Sequence, residues 1–227
     1  MSAKMESLAV LHLGNCSKLE KIPQFKGIMK NLSKLYLCYT AIKELSPSSI
    51  ECLTALTLLD LEHCKNLECL PSNMDSLRSL QELVLSRCSK LAKLPESLWK
   101  IKSLKELQLR GMSRLEEIRL NGIGCLSSLT YLTLSSNNFV TLPASISQLS
   151  KLEVIDLSYC NQLQALPELP STARYINANN CLHLKPSPGL HLEPATWLYY
   201  NESSGGWAFK ILNRYLQVSS PLSVSNC

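Results

Sequence analysis

A curved solenoid of the α/β class, with about eight short parallel strands on its concave face and an irregular, 3₁₀-rich convex side, is the fold the sequence predicts. Three observations predict it. The pattern L-x-x-L-x-L-x-x-(C/N/T) recurs in eight units, beginning at Leu8, Leu32, Leu56, Leu80, Leu104, Leu129, Leu152 and Ala173, with spacings of 24, 24, 24, 24, 25, 23 and 21 residues. Ile22-Pro23, Leu70-Pro71, Leu94-Pro95, Leu142-Pro143 and Leu166-Pro167 fall in the return segments of the units. Five of the ten cysteines, Cys16, Cys64, Cys88, Cys160 and Cys181, share the last position of the pattern, where Thr40, Met112 and Asn137 stand in the other units.

The strand comes first in each unit. Residues two apart along a strand point to one side, so the leucines of each L-x-L enter a core while the residues beside and between them form a surface. Strands are expected to centre on Leu11, Leu35, Leu59, Leu83, Leu107, Leu132, Ile155 and Ile176. A unit of about 24 residues cannot bury its leucines alone, and stacking neighbours joins them into one core. The turn follows, and there a cysteine acts as a small half-apolar side chain whose weak donor can reach an unpaired carbonyl. The prolines of the return cannot donate to a ladder, which suits an irregular convex side. This is a leucine-rich-repeat solenoid, or horseshoe, over residues 1–184, with residues 185–227 as a post-repeat linker and partial cap.

The tail changes character after Leu184. "KPSPGLHLEP" breaks the repeat with three prolines and a glycine. "NESSGGWAFKILNRYLQ" then offers Ser203 or Ser204 as a helix start, with Trp207, Ala208, Ile211, Leu212, Tyr215 and Leu216 at helical spacing, which predicts a helical cap over the last strand or a partner-binding helix.

Composition bounds the function. The 227 residues are 45% apolar and 18% charged, enough for one or two packed domains, and the net charge of +5 is dispersed as single lysines and arginines. That dispersal argues against nucleic acid or an anionic membrane as a partner. No stretch approaches the roughly 18 apolar residues of a membrane helix, and the opening residues lack a continuous apolar signal segment. No C-x-x-C occurs, so the five repeat cysteines are read as buried, unpaired structural thiols suited to a reducing compartment, which points to the cytoplasm or nucleus.

Catalysis finds no support. "DLEHC" holds Asp60, His63 and Cys64, the residue types of a thiol nucleophile system, but the register turns Asp60 outward and Cys64 into the core. His12, His183 and His191 show no metal-ligand spacing, and phosphate-loop, dinucleotide and nucleophile-elbow motifs are absent, so neither a cofactor nor a metal is expected. What remains is the concave face. Its candidate partner-binding residues are Tyr36, Asp60, Glu62, Glu82, Glu106, Gln108, Arg110, Tyr131, Asp156 and Tyr175. Asp60, Glu62, Glu82 and Glu106 form an acidic patch on three adjacent strands, and tyrosine and arginine are the side chains favoured at binding hot spots.

The units "LxxLxLxxCxxLxxLP", the exit "LQALPELPSTARYINANNCLHLK" and the later "WAFKILNRYLQ" resemble the repeat and post-repeat region of plant intracellular disease resistance receptors. The closest class carries an N-terminal Toll/interleukin-1-receptor domain and a central nucleotide-binding domain. The resemblance covers nearly the whole chain. It implies a protein-recognition module that senses a pathogen effector, directly or through a guarded host protein, and restrains the receptor's own nucleotide-binding domain. The signalling and nucleotide-binding domains are not in these residues, and the first unit opens eight residues from Met1, so a piece of a longer receptor or a truncated relative is expected. A repeat scaffold or substrate adaptor without immune signalling is the other reading.

Overall fold

The computed structural model describes residues 7–112 apart from 23 and 26, residues 120–185, and the backbone of two strands at 199–201 and 206–209. Eight three-residue strands, β1 (Val10–His12), β2 (Lys34–Tyr36), β3 (Leu58–Asp60), β4 (Glu82–Val84), β5 (Glu106–Gln108), β6 (Tyr131–Thr133), β7 (Val154–Asp156) and β8 (Tyr175–Asn177), form one sheet in sequential order. Every neighbouring pair is parallel, and the central residues align as Leu11, Leu35, Leu59, Leu83, Leu107, Leu132, Ile155 and Ile176, the expected centres. This is the predicted leucine-rich-repeat solenoid.

The strands are short because each is stopped by the same backbone device. In every unit the residue before the turn position has positive φ: Asn15, Tyr39, His63, Arg87, Ser136, Tyr159 and Asn180 at 56–65°, and Gly111 at 63°. Its N–H still donates to the next unit, as from Tyr39 to Glu62, His63 to Ser86 and Arg87 to Arg110, so hydrogen bonding continues one step past the sheet while the chain bends inward. Left-handed backbone costs about 1–2 kcal/mol for a residue with a Cβ. Seven such residues in register show that stacking over-determines the bend.

The core is one continuous column. Leu35, Leu59, Leu83, Leu107, Leu132 and Ile155 are buried, as are the second strand leucines from Leu37 to Leu157 and the return leucines such as Leu67, Leu91 and Leu163. The convex side carries a five-residue helix, α1 (Pro47–Glu51), capped by the Ser46 hydroxyl accepting from the Ser49 N–H at 3.2 Å. It also carries 3₁₀ turns at Met74–Ser76, Glu96–Lys100, Ile123–Cys125 and Ala144–Gln148. Successive turns pack closely: a Cβ on Gly122 would stand 2.2 Å from the buried Trp99 ring, so no other residue fits there.

The turn thiols form an internal ladder. Cys64 donates to the Leu37 carbonyl at 3.1 Å, Cys88 to Leu61 at 3.1 Å, Cys160 to Leu134 at 3.3 Å and Cys181 to Leu157 at 3.0 Å, each acceptor lying in the preceding unit. Asn137 makes the same link to Leu109 at 2.9 Å. All four thiols are buried and unpaired. Cys16 departs from the expectation: it is exposed. The ladder explains the difference, because burial of a turn thiol requires a strand in the preceding unit, and no strand before β1 is described.

The expected tail helix is also corrected at its start. Gly206–Phe209 is a strand, β10, paired antiparallel with β9 (Tyr199–Asn201). Gly205-Gly206 is a poor helix opening, and the aromatic residues Tyr199, Tyr200, Trp207 and Phe209 favour pleated backbone. Ile211, Leu212, Tyr215 and Leu216 of the expected stripe, His191, and most of the tail lie outside the described residues.

Candidate functional site

Parallel register arranges the outward-facing strand positions into straight rows, in which Val84 and Thr133, expected at the surface, are buried. One row runs Val10, Lys34, Leu58, Glu82, Glu106, Tyr131, Val154, Tyr175, and a second runs His12, Tyr36, Asp60, Val84, Gln108, Thr133, Asp156, Asn177. Glu62 and Arg110 follow at the exit of their strands. All ten candidate partner-binding residues are half-buried, with side chains neither in the core nor fully solvated. That intermediate exposure is what a shallow sheet face produces, since flanking rows shield each side chain.

The structure resolves the acidic group into two parts. Glu82 and Glu106 are direct cross-strand partners. Burial pushes the Glu82 carboxyl above its ordinary range, helped by Glu106 and Asp60, and burial raises Glu106 as well. Gln108 leans toward Glu82 at 3.5 Å. Asp60 is committed differently: its Oδ1 accepts the Glu62 N–H at 2.9 Å and holds the strand exit. Asp156 repeats this with Ser158 at 3.0 Å and also accepts from Thr133 at 3.3 Å. Glu82 and Glu106 therefore present negative charge outward, while Asp60 and Asp156 spend part of theirs on the backbone.

The aromatic candidates also divide. Tyr131 and Tyr175 flank Val154 in one row, and Tyr175 packs against the core beneath. Tyr36 stacks on His12 at 5.0 Å, which leaves one ring face engaged. Cys38, at the exit of β2, is half-buried, and burial together with Asp60 pushes its thiol up to about 11, making it a poor nucleophile at neutral pH. Burial raises the Cys64 thiol too, and its proton goes to the Leu37 carbonyl, so Asp60, His63 and Cys64 do not converge.

Sequence reasoning missed a set of side chains at the turn edge. The ring of Tyr39 stacks on His63 at 4.3 Å with planes 15° apart, and Arg87 Nη1 donates to His63 Nε2 at 2.9 Å. The signal was present as the residue immediately before each turn position, but only the positive φ shows that it leaves the sheet edgewise.

The match to known proteins falls on this same array. Residues 4–191 match the family model described as the leucine-rich repeats of RPS4B-like disease resistance proteins. The chain belongs to that family. It is 42% identical over 187 residues to the disease resistance protein RPS4B of Arabidopsis thaliana, covering 80% of this chain and 15% of that protein. It is 51% identical over 185 residues to the Arabidopsis thaliana disease resistance protein LAZ5, covering 81% of the chain and 15% of that protein. With the TMV resistance protein N of Nicotiana glutinosa it shares 34% identity over 193 residues, 80% of the chain and 14% of that protein. The chain thus spans about one seventh of these RPS4B-like relatives. A solved leucine-rich-repeat protein of Leptospira interrogans superposes with a TM-score of 0.57 at 27% identity, over 81% of this chain and 49% of that one. The repeat domain of the type III effector XopL superposes with a TM-score of 0.57 at 23% identity, over 76% of this chain and 69% of that one, which speaks to fold alone.

Proposed function

We propose that this repeat array is the recognition module of a plant innate immune receptor, binding a protein partner through its concave face. The partner is a pathogen effector or a guarded host protein, and in the resting state the array restrains the receptor's own nucleotide-binding domain. The observation that carries the reading is the row Glu82, Glu106, Tyr131, Val154, Tyr175: adjacent strands display two carboxylates outside any ion pair among the described residues, then two tyrosines about a valine. Such a row offers charge to steer association and aromatic area to hold it. Family membership supports the immune setting, and the free thiols support the cytoplasm or nucleus as the place of action.

The test is a binding assay against candidate effectors and the nucleotide-binding domain, run beside thermal melts. Tyr131→Ala should weaken binding by about 1–2 kcal/mol with unchanged melting, and Tyr175→Ala should weaken it by a similar amount while also lowering the melt, because its ring packs against the core. Glu82→Lys and Glu106→Lys should slow association with a basic partner, less so at high salt. Unchanged binding in all four would overturn the concave reading.

A further inference from the structure

Resting on the concave reading, we propose that the partner is recognised through an extended segment laid across β4–β8, with a lysine or arginine over Glu82 and Glu106 and, four residues away, an aromatic or branched apolar side chain between Tyr131 and Tyr175.

Three observations carry it. Glu82 and Glu106 are direct cross-strand partners, and neither is in an ion pair among the described residues. The field there is acidic: at Glu82 both Glu106 and Asp60 outweigh Lys34, and at Glu106 no cation offsets burial. Two half-buried carboxyls side by side attract one basic side chain together and repel a phosphate backbone. Further along the row, Tyr131, Val154 and Tyr175 are cross-strand neighbours in that order. The two tyrosines stand two strand spacings apart, about 10 Å, which leaves a slot one ring or one branched side chain thick over Val154. The neighbouring rows, third, are uneven in height. Val84, Ser86, Thr133 and Ser135 are small and buried, whereas Gln108 and Arg110 between them are long and half-buried.

Spacing and this ridge select the backbone of the occupant. The midpoint of the carboxyl pair lies two and a half strand spacings from Val154, about 12 Å. An extended chain covers about 13 Å in four residues, and residues four apart point to the same side. A helix needs about eight residues for that distance, and its diameter of about 10 Å would strike Gln108 and Arg110 as it crossed β5. A single extended chain over the first row clears them. Arg110 lies four residues along the chain from Glu106, about 13 Å, which is beyond the screening length at physiological salt, so it does not oppose a cation at the carboxyl pair.

The test is selection of a random twelve-residue peptide library, displayed on phage, against the immobilised full chain, followed by fluorescence anisotropy of the enriched peptides. Enriched sequences should carry Lys or Arg with Phe, Tyr, Trp, Leu or Ile four positions away. Moving the basic residue by one position should weaken a selected peptide about tenfold, because alternation along an extended chain turns it to the other side. Glu82→Gln with Glu106→Gln should weaken it about tenfold and flatten its salt dependence, and Tyr131→Ala should weaken it by a similar factor at unchanged salt dependence. Enrichment at a spacing of seven or eight would indicate a helical partner and overturn the proposal, as would enriched peptides without a basic residue or binding unaffected by both variants. The concave reading fails separately: if Tyr131→Ala weakens binding of a folded effector or of the nucleotide-binding domain while no peptide is enriched, only the extended segment is overturned.

Discussion

At the scale of single residues, the turn thiols show how little chemistry a cysteine needs to be worth keeping. Cys88 is buried, its burial raises the pKa of the thiol, and its proton bridges to Leu61 in the preceding unit. Thr40 keeps a similar local link to Leu37 at 2.7 Å, and Asn137 extends it with three donated bonds. Thiol, hydroxyl and amide therefore serve as donors at the same position, while Met112 fills it without a side-chain donor and its backbone N–H donates to Asn137 Oδ1 at 2.8 Å. Cys88→Ala should cost about 1–2 kcal/mol through the lost bond and the small void. Cys16→Ala, at an exposed turn, should leave the denaturation midpoint unchanged. Equal effects in chemical denaturation would mean the ladder contributes nothing.

At the scale of the strands, cross-strand pairing places like charges together. Glu82 on β4 and Glu106 on β5 are direct partners, and both carboxyls titrate above the ordinary value of 4.5. A carboxyl whose folded-state pKa is raised favours folding while protonated, and that advantage disappears as pH rises through the folded-state value. The pair therefore opposes stability at neutral pH and stops doing so in mild acid. Glu82→Gln should raise stability at pH 7 by about 0.5 kcal/mol, the scale of a solvent-screened pair, and leave it unchanged near pH 4. Urea midpoints at the two pH values decide it. An arrangement retained at a cost to stability is consistent with a face kept for binding.

At the scale of the whole molecule, each unit touches only its neighbours, so stability is a chain of interfaces rather than a single core. Leu107 is fully buried between two such interfaces, whereas Leu11 on β1 is half-buried. Leu107→Ala should cost about 2–5 kcal/mol and lower the global melt. Leu11→Ala should cost less and raise amide hydrogen exchange only around β1 and β2, because an end unit can open without the rest. Exchange rising evenly along the array in the second variant would contradict the one-dimensional picture.

The sequence by itself determined the repeat, all eight strand centres and the facing of every core leucine, because a period of two within a period near 24 leaves one way to bury the leucines. It also placed the rows of the concave face, since parallel register carries equivalent positions side by side. Only the tertiary structure decided what depends on a neighbour or on a backbone angle. Cys16 reads like Cys64 in sequence, yet burial follows the strand stacked before it. Trp207 and Ala208 open an apolar stripe at helical spacing in sequence, yet pairing of Gly206–Phe209 with Tyr199–Asn201 makes their segment a strand. Asp60 and Glu82 read as equivalent acids, but one is tied to the backbone and the other to its charged neighbour. Tyr39, His63 and Arg87 lie 24 residues apart and meet because a left-handed turn in each unit sends its side chain along the same edge.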